Sequence, residues 1–409
     1  MKRLQAWKYE LRPNGLQKRL MRRFAGCCRV VFNKALDLQG QHRKNKEKMP
    51  GYAALCKLLT AWRHTPETLW LAEAPAQALQ QALKDLERAW TNCFAGRADS
   101  PRFKKRGHGD SFRYPDAKQI HLDEAKSRIF LPKLGWLRYR KSREIQGKIK
   151  NVTVSLSCDK WFISIQTERE VPEPVHPLGP ETAVGIDLGI ARFATFSDGS
   201  FLSPLSSFKQ HENALRKAQQ RLSRKVKFSK NWQKAKARVQ RLHARIARVR
   251  RDFLHKATSL ISKNHALVFV EDLQVRNMSR SAKGTKEAPG KRVKAKSGLN
   301  RAILDQGWYE FRRQLGYKLD WLGGTLFAVP PQYSSQTCPK CGHINKENRK
   351  TQASFVCVQC GFQENADVVG AMNILRAGLA RLACEVSGAV MPPAAGTHRS
   401  ESGMAPSLA

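Results

Sequence analysis

Apolar positions change their period several times along the chain, and each change marks an element. Residues 2–11 alternate as a short strand, after which Pro13 and Asn14-Gly15 make a turn. Leu16, Leu20, Phe24, Cys27 or Cys28, Val31 and Ala35 then recur every three or four positions, opposite Lys18, Arg19, Arg22 and Arg23. That spacing predicts a basic amphipathic helix. A further helix opens at Pro75 with Leu79, Leu83, Leu86 and Trp90 on one stripe, so residues 13–98 read as a helical module with its thiols in the core. From 111 to 170 the period falls to two. Val152, Val154 and Leu156, then Trp161, Ile163 and Ile165 beyond the Asp159-Lys160 turn, predict antiparallel strands in the manner of a small barrel. A Pro-rich linker, Val171 to Pro180, follows.

The second half begins with a nearly continuous apolar strand, residues 183–190, interrupted by Asp187. Phe193 to Phe196 and the Asp198-Gly199 turn predict a hairpin. Trp232, Ala235, Val239, Leu242, Ile246, Val249 and Phe253 recur at alternating steps of three and four, with Leu260 in register and basic residues nearly everywhere else. This predicts a long helix or helical hairpin with an internal apolar seam and basic outer faces. Ala266 to Val270 is a buried strand ending in Glu271-Asp272. Residues 279–298 lack periodicity and read as a mobile basic loop. A helix around Ile303 to Leu322 and a strand through Thr325 to Val329 come next, and the Ala-, Ser-, Gly- and Pro-rich tail after 381 reads as disordered.

Charge narrows the partner. Across 409 residues, 74 Lys+Arg against 33 Asp+Glu leave a net +41, spread along the chain rather than gathered in a tail. Such a surface favours a polyanion, because neutralising phosphates releases counterions. A ribosome-like or merely solvated basic surface and a membrane surface are the blander alternatives, and no amphipathic lipid-facing stretch supports the last. No apolar run approaches the roughly 20 residues that span a bilayer, and no apolar core follows Met1-Lys2-Arg3 as in a signal peptide, so a cytoplasmic, nucleoid-associated location is expected. The basic loop Arg102, Phe103, Lys104, Lys105, Arg106 reads either as a grip on a phosphate backbone or as a solvated linker.

Two constellations carry chemistry. Cys338-x-x-Cys341-Gly342 and Cys357-x-x-Cys360-Gly361 have the spacing of a four-cysteine zinc ribbon, which predicts one structural Zn²⁺. The other six cysteines show no pairing pattern and read as free thiols. Asp187, Glu271 and Asp367 are carboxylates in three apolar settings: a strand between Gly185 and Gly189, the end of Leu267-Val268-Phe269-Val270, and the start of a helix capped by Asn365. An ionised carboxylate in such surroundings calls for a cation beside it. Together the three would form an all-oxygen site suited to two Mg²⁺ ions and phosphodiester hydrolysis; singly they are ordinary strand-end and cap residues. Strand alternation turns Asp272 to the opposite face. Val184-Gly-Ile-Asp-Leu-Gly also suits the phosphate strand of actin-like ATPases, but no second Asp-x-Gly loop follows.

Taken in order, these motifs resemble TnpB, the OrfB-type, transposon-encoded RNA-guided nuclease related to type V CRISPR effectors. The resemblance covers residues 1 to about 380. It rests on the amino-terminal basic helix, Pro101-Arg102-Phe103-Lys104, Gly185-Ile-Asp-Leu-Gly189, Val270-Glu-Asp-Leu273, Tyr333-Ser-Ser-Gln-Thr-Cys338-Pro-Lys-Cys341-Gly342, Asn365-Ala-Asp-Val368 and Asn373-Ile-Leu375. It implies an α/β multidomain chain with an RNase H-like (RuvC) core at 179–380 and a zinc ribbon inserted at 333–363. A β-barrel wedge would be built from 1–12 and 99–178, with a helical recognition lobe at 13–98 and a disordered tail at 381–409. It also implies that Asp187, Glu271 and Asp367 are the RuvC-type acids, that Cys338, Cys341, Cys357 and Cys360 hold the zinc, and that a guide RNA from the transposon end directs cleavage of target DNA beside a short motif. A nuclease-silent RNA-guided repressor and a guide-independent nuclease or resolvase are the alternatives. Val369-Gly370 departs from the Asn-Ala of many relatives, which removes an amide that could assist the metal shell.

Overall fold

The structure, a computed structural model, describes residues 1–173, 179–330 and 332–387. The chain divides into two compact units, Met1–Pro172 and Glu173–Ala409. Most of the Pro-rich linker and the tail beyond 387 lie outside the described residues.

In the first unit, strand β1 (Lys2–Arg12) leads into helix α1 (Gly15–Lys44), α2 (Tyr52–His64) and α3 (Ala76–Phe94). Asn14 does more than turn the chain. Its Oδ1 accepts from Gln17 N at 2.8 Å while Gln17 Oε1 accepts from Asn14 N at 3.1 Å, a capping box that starts α1. Six more strands follow: β2 (Ser111–Tyr114), β3 (His121–Asp123), β4 (Arg128–Leu131), β5 (Gly135–Tyr139), β6 (Lys148–Ser157) and β7 (Lys160–Glu170). They join β1 in one antiparallel sheet ordered β2-β6-β7-β1-β5-β4-β3. Trp7, Tyr9 and Leu11 alternate inward from β1 to meet Ile163 and Ile165 of β7, Phe24 and Val31 of α1, and Leu83 of α3. Cys27 and Cys28 lie in this core, and burial pushes their thiols up to about 11 and about 12, so both are packing groups.

The second unit carries a mixed sheet, β10-β9-β8-β11-β12. Strands β8 (Ala183–Asp187), β11 (Leu267–Glu271) and β12 (Thr325–Val329) run parallel, and β9 (Ala194–Phe196) with β10 (Phe201–Leu202) forms the expected antiparallel hairpin. Between β10 and β11 stand α4 (Ser207–Ser223), which the sequence reading missed, and α5 (Lys230–Asn264). The apolar seam of α5 does not hold its heptad register. Leu254, Ala257 and Ile261 are buried, whereas Leu260 is 54% exposed. A straight helix drifts about 20° per heptad, so over the four heptads from Trp232 the buried stripe moves on by nearly one residue.

After the short α6 (Val275–Met278), the basic stretch expected as a loop becomes helical from Val293, as α7 (Val293–Gln306). Gly307, at φ +74°, breaks the single helix expected over 303–322 and starts α8 (Trp308–Leu322). A two-stranded ribbon of β13 (Ser354–Val356) and β14 (Gln363–Asn365) precedes α9 (Ala366–Ser387), which runs seven residues into the stretch expected as tail. Among the described residues no helix is long and apolar enough to cross a membrane.

Candidate functional site

Side-chain parity decides what the second unit's sheet presents. Along β11, Val268 and Val270 pack with α5 and α8, while Leu267 and Phe269 pack with Ile374 and Leu375 of α9. Glu271, two positions past Phe269, therefore lies on the α9 face. In the parallel pairing Ile186 of β8 stands opposite Val270. Asp187 is thus level with Glu271 at the carboxyl ends of adjacent strands, not in mid-strand as the sequence suggested. Gly185 shares its face with Asp187, and a Cβ there would lie 2.2 Å from Ala371 O and 2.6 Å from Leu375 N, so only glycine lets α9 cross this close. At the head of α9, Asn365 Oδ1 accepts from Asp367 N at 3.0 Å and holds Asp367 in the first turn. Asp272 faces the other way, as expected, with an oxygen 2.5 Å from Arg312 Nη1 of α8.

The three carboxylates share one field. Burial, then the charges of Glu271 and Asp367, push Asp187 up to about 7, against the opposing pull of Arg349. Burial also raises Glu271, opposed by a hydrogen bond from Ser334 and by Arg349. Ser334 Oγ donates to Glu271 Oε1 at 2.9 Å, and Arg349 Nη2 stands 3.8 Å from Asp367 Oδ1. Asn373 of α9, 8% exposed, gives both amide hydrogens to main-chain oxygens of the segment that carries Ser334, those of Ser334 and Thr337, each at 2.7 Å. Glu271 also borders a cavity of about 230 Å³ lined by Leu188, Trp308 and Tyr309.

The thiols form a closed cluster beside it. All four sulfurs of Cys338, Cys341, Cys357 and Cys360 lie within 4.8 Å of one another, with Cys338–Cys360 and Cys341–Cys357 at 3.6 Å. Tetrahedral bonds of about 2.3 Å to zinc place sulfurs roughly 3.8 Å apart, so the cluster is compatible with a zinc ribbon. Its halves repeat one design. Gly342 N donates to Cys338 O and Gly361 N to Cys357 O, at 2.9 and 3.0 Å, both glycines at positive φ. The side chain of Asn348, fully buried, bonds to Gln336 O, His343 O and Val358 N and so ties the halves together.

Val369 is buried in the ribbon's small apolar core with Cys338, Phe355 and Cys357, so its side chain serves packing there. A Cβ added at its neighbour Gly370 would lie 3.3 Å from Asp187 Oδ2, which leaves that carboxylate clear on the helix side.

The basic loop is elsewhere, in the first unit. Arg102 pairs with Asp99 at 3.3 Å on an exposed surface, and Lys105 and Arg106 are exposed. Lys104 is anchored: its main chain exchanges two hydrogen bonds with Asn33, and its ammonium lies 3.9 Å from the Phe32 ring centroid. Ser334, Arg349 and Asn373 were not singled out from sequence. Ser334 and Asn373 stood inside recognised motifs, while nothing set Arg349 apart among 74 basic residues.

Family models match residues 164–282 as a probable transposase, 308–374 as a Cas12f1-like TNB domain and 1–48 as a helix-turn-helix domain. The last stretch is here a strand and one 30-residue helix. The chain is 58% identical to the putative RNA-guided DNA endonuclease InsQ of Escherichia coli K12, over 94% of each chain. It is 34% identical to a putative RNA-guided DNA endonuclease of Streptomyces pristinaespiralis, over 93% of this chain and 90% of the relative. In fold it is similar to Cas12f1 in a complex with single-guide RNA and target DNA, with a TM-score of 0.55 at 15% identity, covering 88% of this chain and 82% of that one. With such identity along almost its whole length, the chain belongs to the TnpB/OrfB-type family of transposon-encoded RNA-guided nucleases.

Proposed function

We propose that this chain is an RNA-guided DNA endonuclease that cleaves by metal-assisted phosphodiester hydrolysis at Asp187, Glu271 and Asp367. The observation that carries the reading is the meeting of three carboxylates, from two parallel strand ends and one helix start, at a buried spot where burial first and then the charges of Glu271 and Asp367 push Asp187 up to about 7. Three carboxylates in one field, with Arg349 as their ion-pair partner, leave an excess of negative charge that favours a hard divalent cation. Among the described residues, the four thiols are the group of three or more His, Cys, Asp or Glu whose ligand atoms already close on one metal-sized space. Three carboxylates offer enough oxygens to share between a pair of Mg²⁺ ions. Such ions, when bound, supply Lewis acidity and lower the pKa of water.

The chain's own residues supply position and charge. Ser334 holds one oxygen of Glu271 and leaves the other for a ligand. Asn365 fixes Asp367, where the positive end of α9 also favours its charge. Arg349 brings a cation to the edge of the acid cluster, suited to offset charge gathering on a phosphate in transfer. The four thiols hold one structural Zn²⁺. In this reading residues 179–380 are the RuvC-like nuclease domain, 1–12 and 99–178 the wedge, and 13–98 the recognition lobe. Guide RNA from the transposon end, target DNA and the cytoplasm complete it, with much of the +41 charge facing nucleic acid. A repressor of the same fold is disfavoured because all three acids are present and assembled.

The test is purification from the native locus, sequencing of bound RNA, and cleavage of a matching plasmid with Mg²⁺. A discrete RNA is expected, and replacing its guide segment should redirect the cut. Cutting that ignores the guide would refute the reading.

A further inference from the structure

The α4–α5 hairpin ends in a tip that the acid site does not use. From Arg221 to Arg238, both included, the chain carries eight Lys or Arg and no acidic residue. Within that charge, Val226 and Phe228 are 79% and 78% exposed. Phe228 adopts φ +68°, a backbone conformation that bulky side chains rarely take, and burial does not compensate it. Ser229 caps α5 through Trp232 N at 3.1 Å, and this sets the Phe228 and Trp232 rings 5.5 Å apart at 51°. Lys236 Nζ lies 5.0 Å from the Trp232 ring centroid. The first buried residue of α5 is Ile246, so no core explains these rings.

We infer that this tip is a stacking platform for an unpaired DNA strand. Aromatic faces ringed by cations bind nucleic acid whose bases are unstacked, and do so with little sequence preference. Duplexes hide their base faces and offer such rings only phosphates. The inference rests on the guided-nuclease reading, in which pairing of the guide with one strand leaves the other DNA strand single, whereas the paired guide has its own bases stacked. Leu254 of α5 packs at Gly307, next to Trp308 of the cavity that Glu271 borders, and Trp232 stands 22 residues before Leu254, about 33 Å along the helix. The tip therefore grips strand remote from the reacting phosphate and acts on binding rather than on turnover.

The experiment uses the full chain with its bound RNA and zinc, without added Mg²⁺, and fluorescent oligonucleotides of one sequence as single-stranded DNA, duplex DNA and single-stranded RNA. Phe228→Ala and Trp232→Ala should each weaken single-stranded DNA binding about five-fold or more, with duplex affinity unchanged. Phe228→Tyr and Trp232→Phe should restore it, and an iodouracil-substituted strand should photo-crosslink to Phe228 or Trp232. With Mg²⁺ present, KM for target should rise while kcat holds. Unchanged single-strand affinity, or equal loss on duplex, would overturn the platform. Loss on RNA alone would assign the tip to RNA, and a changed oligomeric state without loss on DNA would assign it to a protein contact; either removes the proposal. Wild-type protein without guide-directed cleavage would instead sink the function, while the oligonucleotide arms still judge the tip.

Discussion

The acid cluster and the thiol cluster lie in one unit and are built by opposite means. Each pair of thiols comes from a four-residue knuckle closed by its own backbone bonds, and the two knuckles are 15 residues apart. The acids come from positions 84 and 96 residues apart, 187 to 271 and 271 to 367, and meet only when β8, β11 and α9 are assembled. A local site needs little but its metal. A dispersed one needs everything that holds its elements in register, and here that includes the ribbon. Ser334 lies just before the first knuckle and Arg349 between the two, so ribbon residues touch Glu271 and Asp367.

The largest effect that would test this dependence is loss of the thiol site. Among the described residues the ribbon's apolar core is Cys338, Phe355, Cys357, Ala366 and Val369 with Phe362 against it, too small to fold alone. Cys357→Ser should release zinc, open the ribbon to protease and abolish cleavage, while strands β8, β11 and β12 keep their amide-exchange protection. Cleavage at the wild-type rate without zinc would show the two sites to be independent.

Next is Arg349→Ala, which should lower kcat on the order of 10²-fold, the scale of losing one charge-stabilising donor, with zinc retained. Arg349→Lys should recover part of it. Asn373→Ala comes after. It leaves the Ser334 and Thr337 carbonyls without those partners and frees Ser334 from Glu271, so cleavage should fall about 10- to 100-fold with a higher Mg²⁺ requirement. Serine-level effects are checked by Ser334→Ala, which should reproduce the Mg²⁺ shift without disturbing the ribbon.

The smallest effect is on stability. Asp187 is raised from 3.8 to about 7 in the folded chain, so the fold holds its proton more tightly than the unfolded chain does. Its penalty is absent below the unfolded value, grows as the pH climbs between the two, and is complete above the folded one. Asp187→Asn removes it. The metal-free variant should melt above wild type at pH 8, by about 2–4 °C per kcal/mol relieved, and the gap should shrink at pH 5. A gap independent of pH would mean that the fold raises Asp187 neither by burial nor through Glu271 and Asp367.

The contrast between local and dispersed also explains what the sequence disclosed. CxxC-Gly knuckles, the alternation of β6 and β7, and Glu271 at the end of its apolar run are local patterns, and each is where the reading put it, whereas Asp187 closes β8 instead of standing inside a longer strand. Asp187, Glu271 and Asp367 could be listed as candidates, but parity across the paired strands is what puts Asp187 and Glu271 on one face, and the packing of α9 on that face is what brings Asp367 toward them. Ser334 and Asn373 act through partners 63 and 39 positions away, Glu271 and Ser334, which no periodicity reveals. Gly307 after Gln306 was a readable stop signal for α7, overlooked because the apolar pattern continued through it. Leu260 was misplaced for a purely geometric reason, the drift of a 3.6-residue helix against a seven-residue repeat.

The most direct test of the central claim is cleavage and binding measured together on RNA-loaded wild type and Asp187→Ala. The account predicts guide-directed binding of target DNA by both proteins and Mg²⁺-dependent cutting by the wild type alone. Cutting that persists in Asp187→Ala would contradict it.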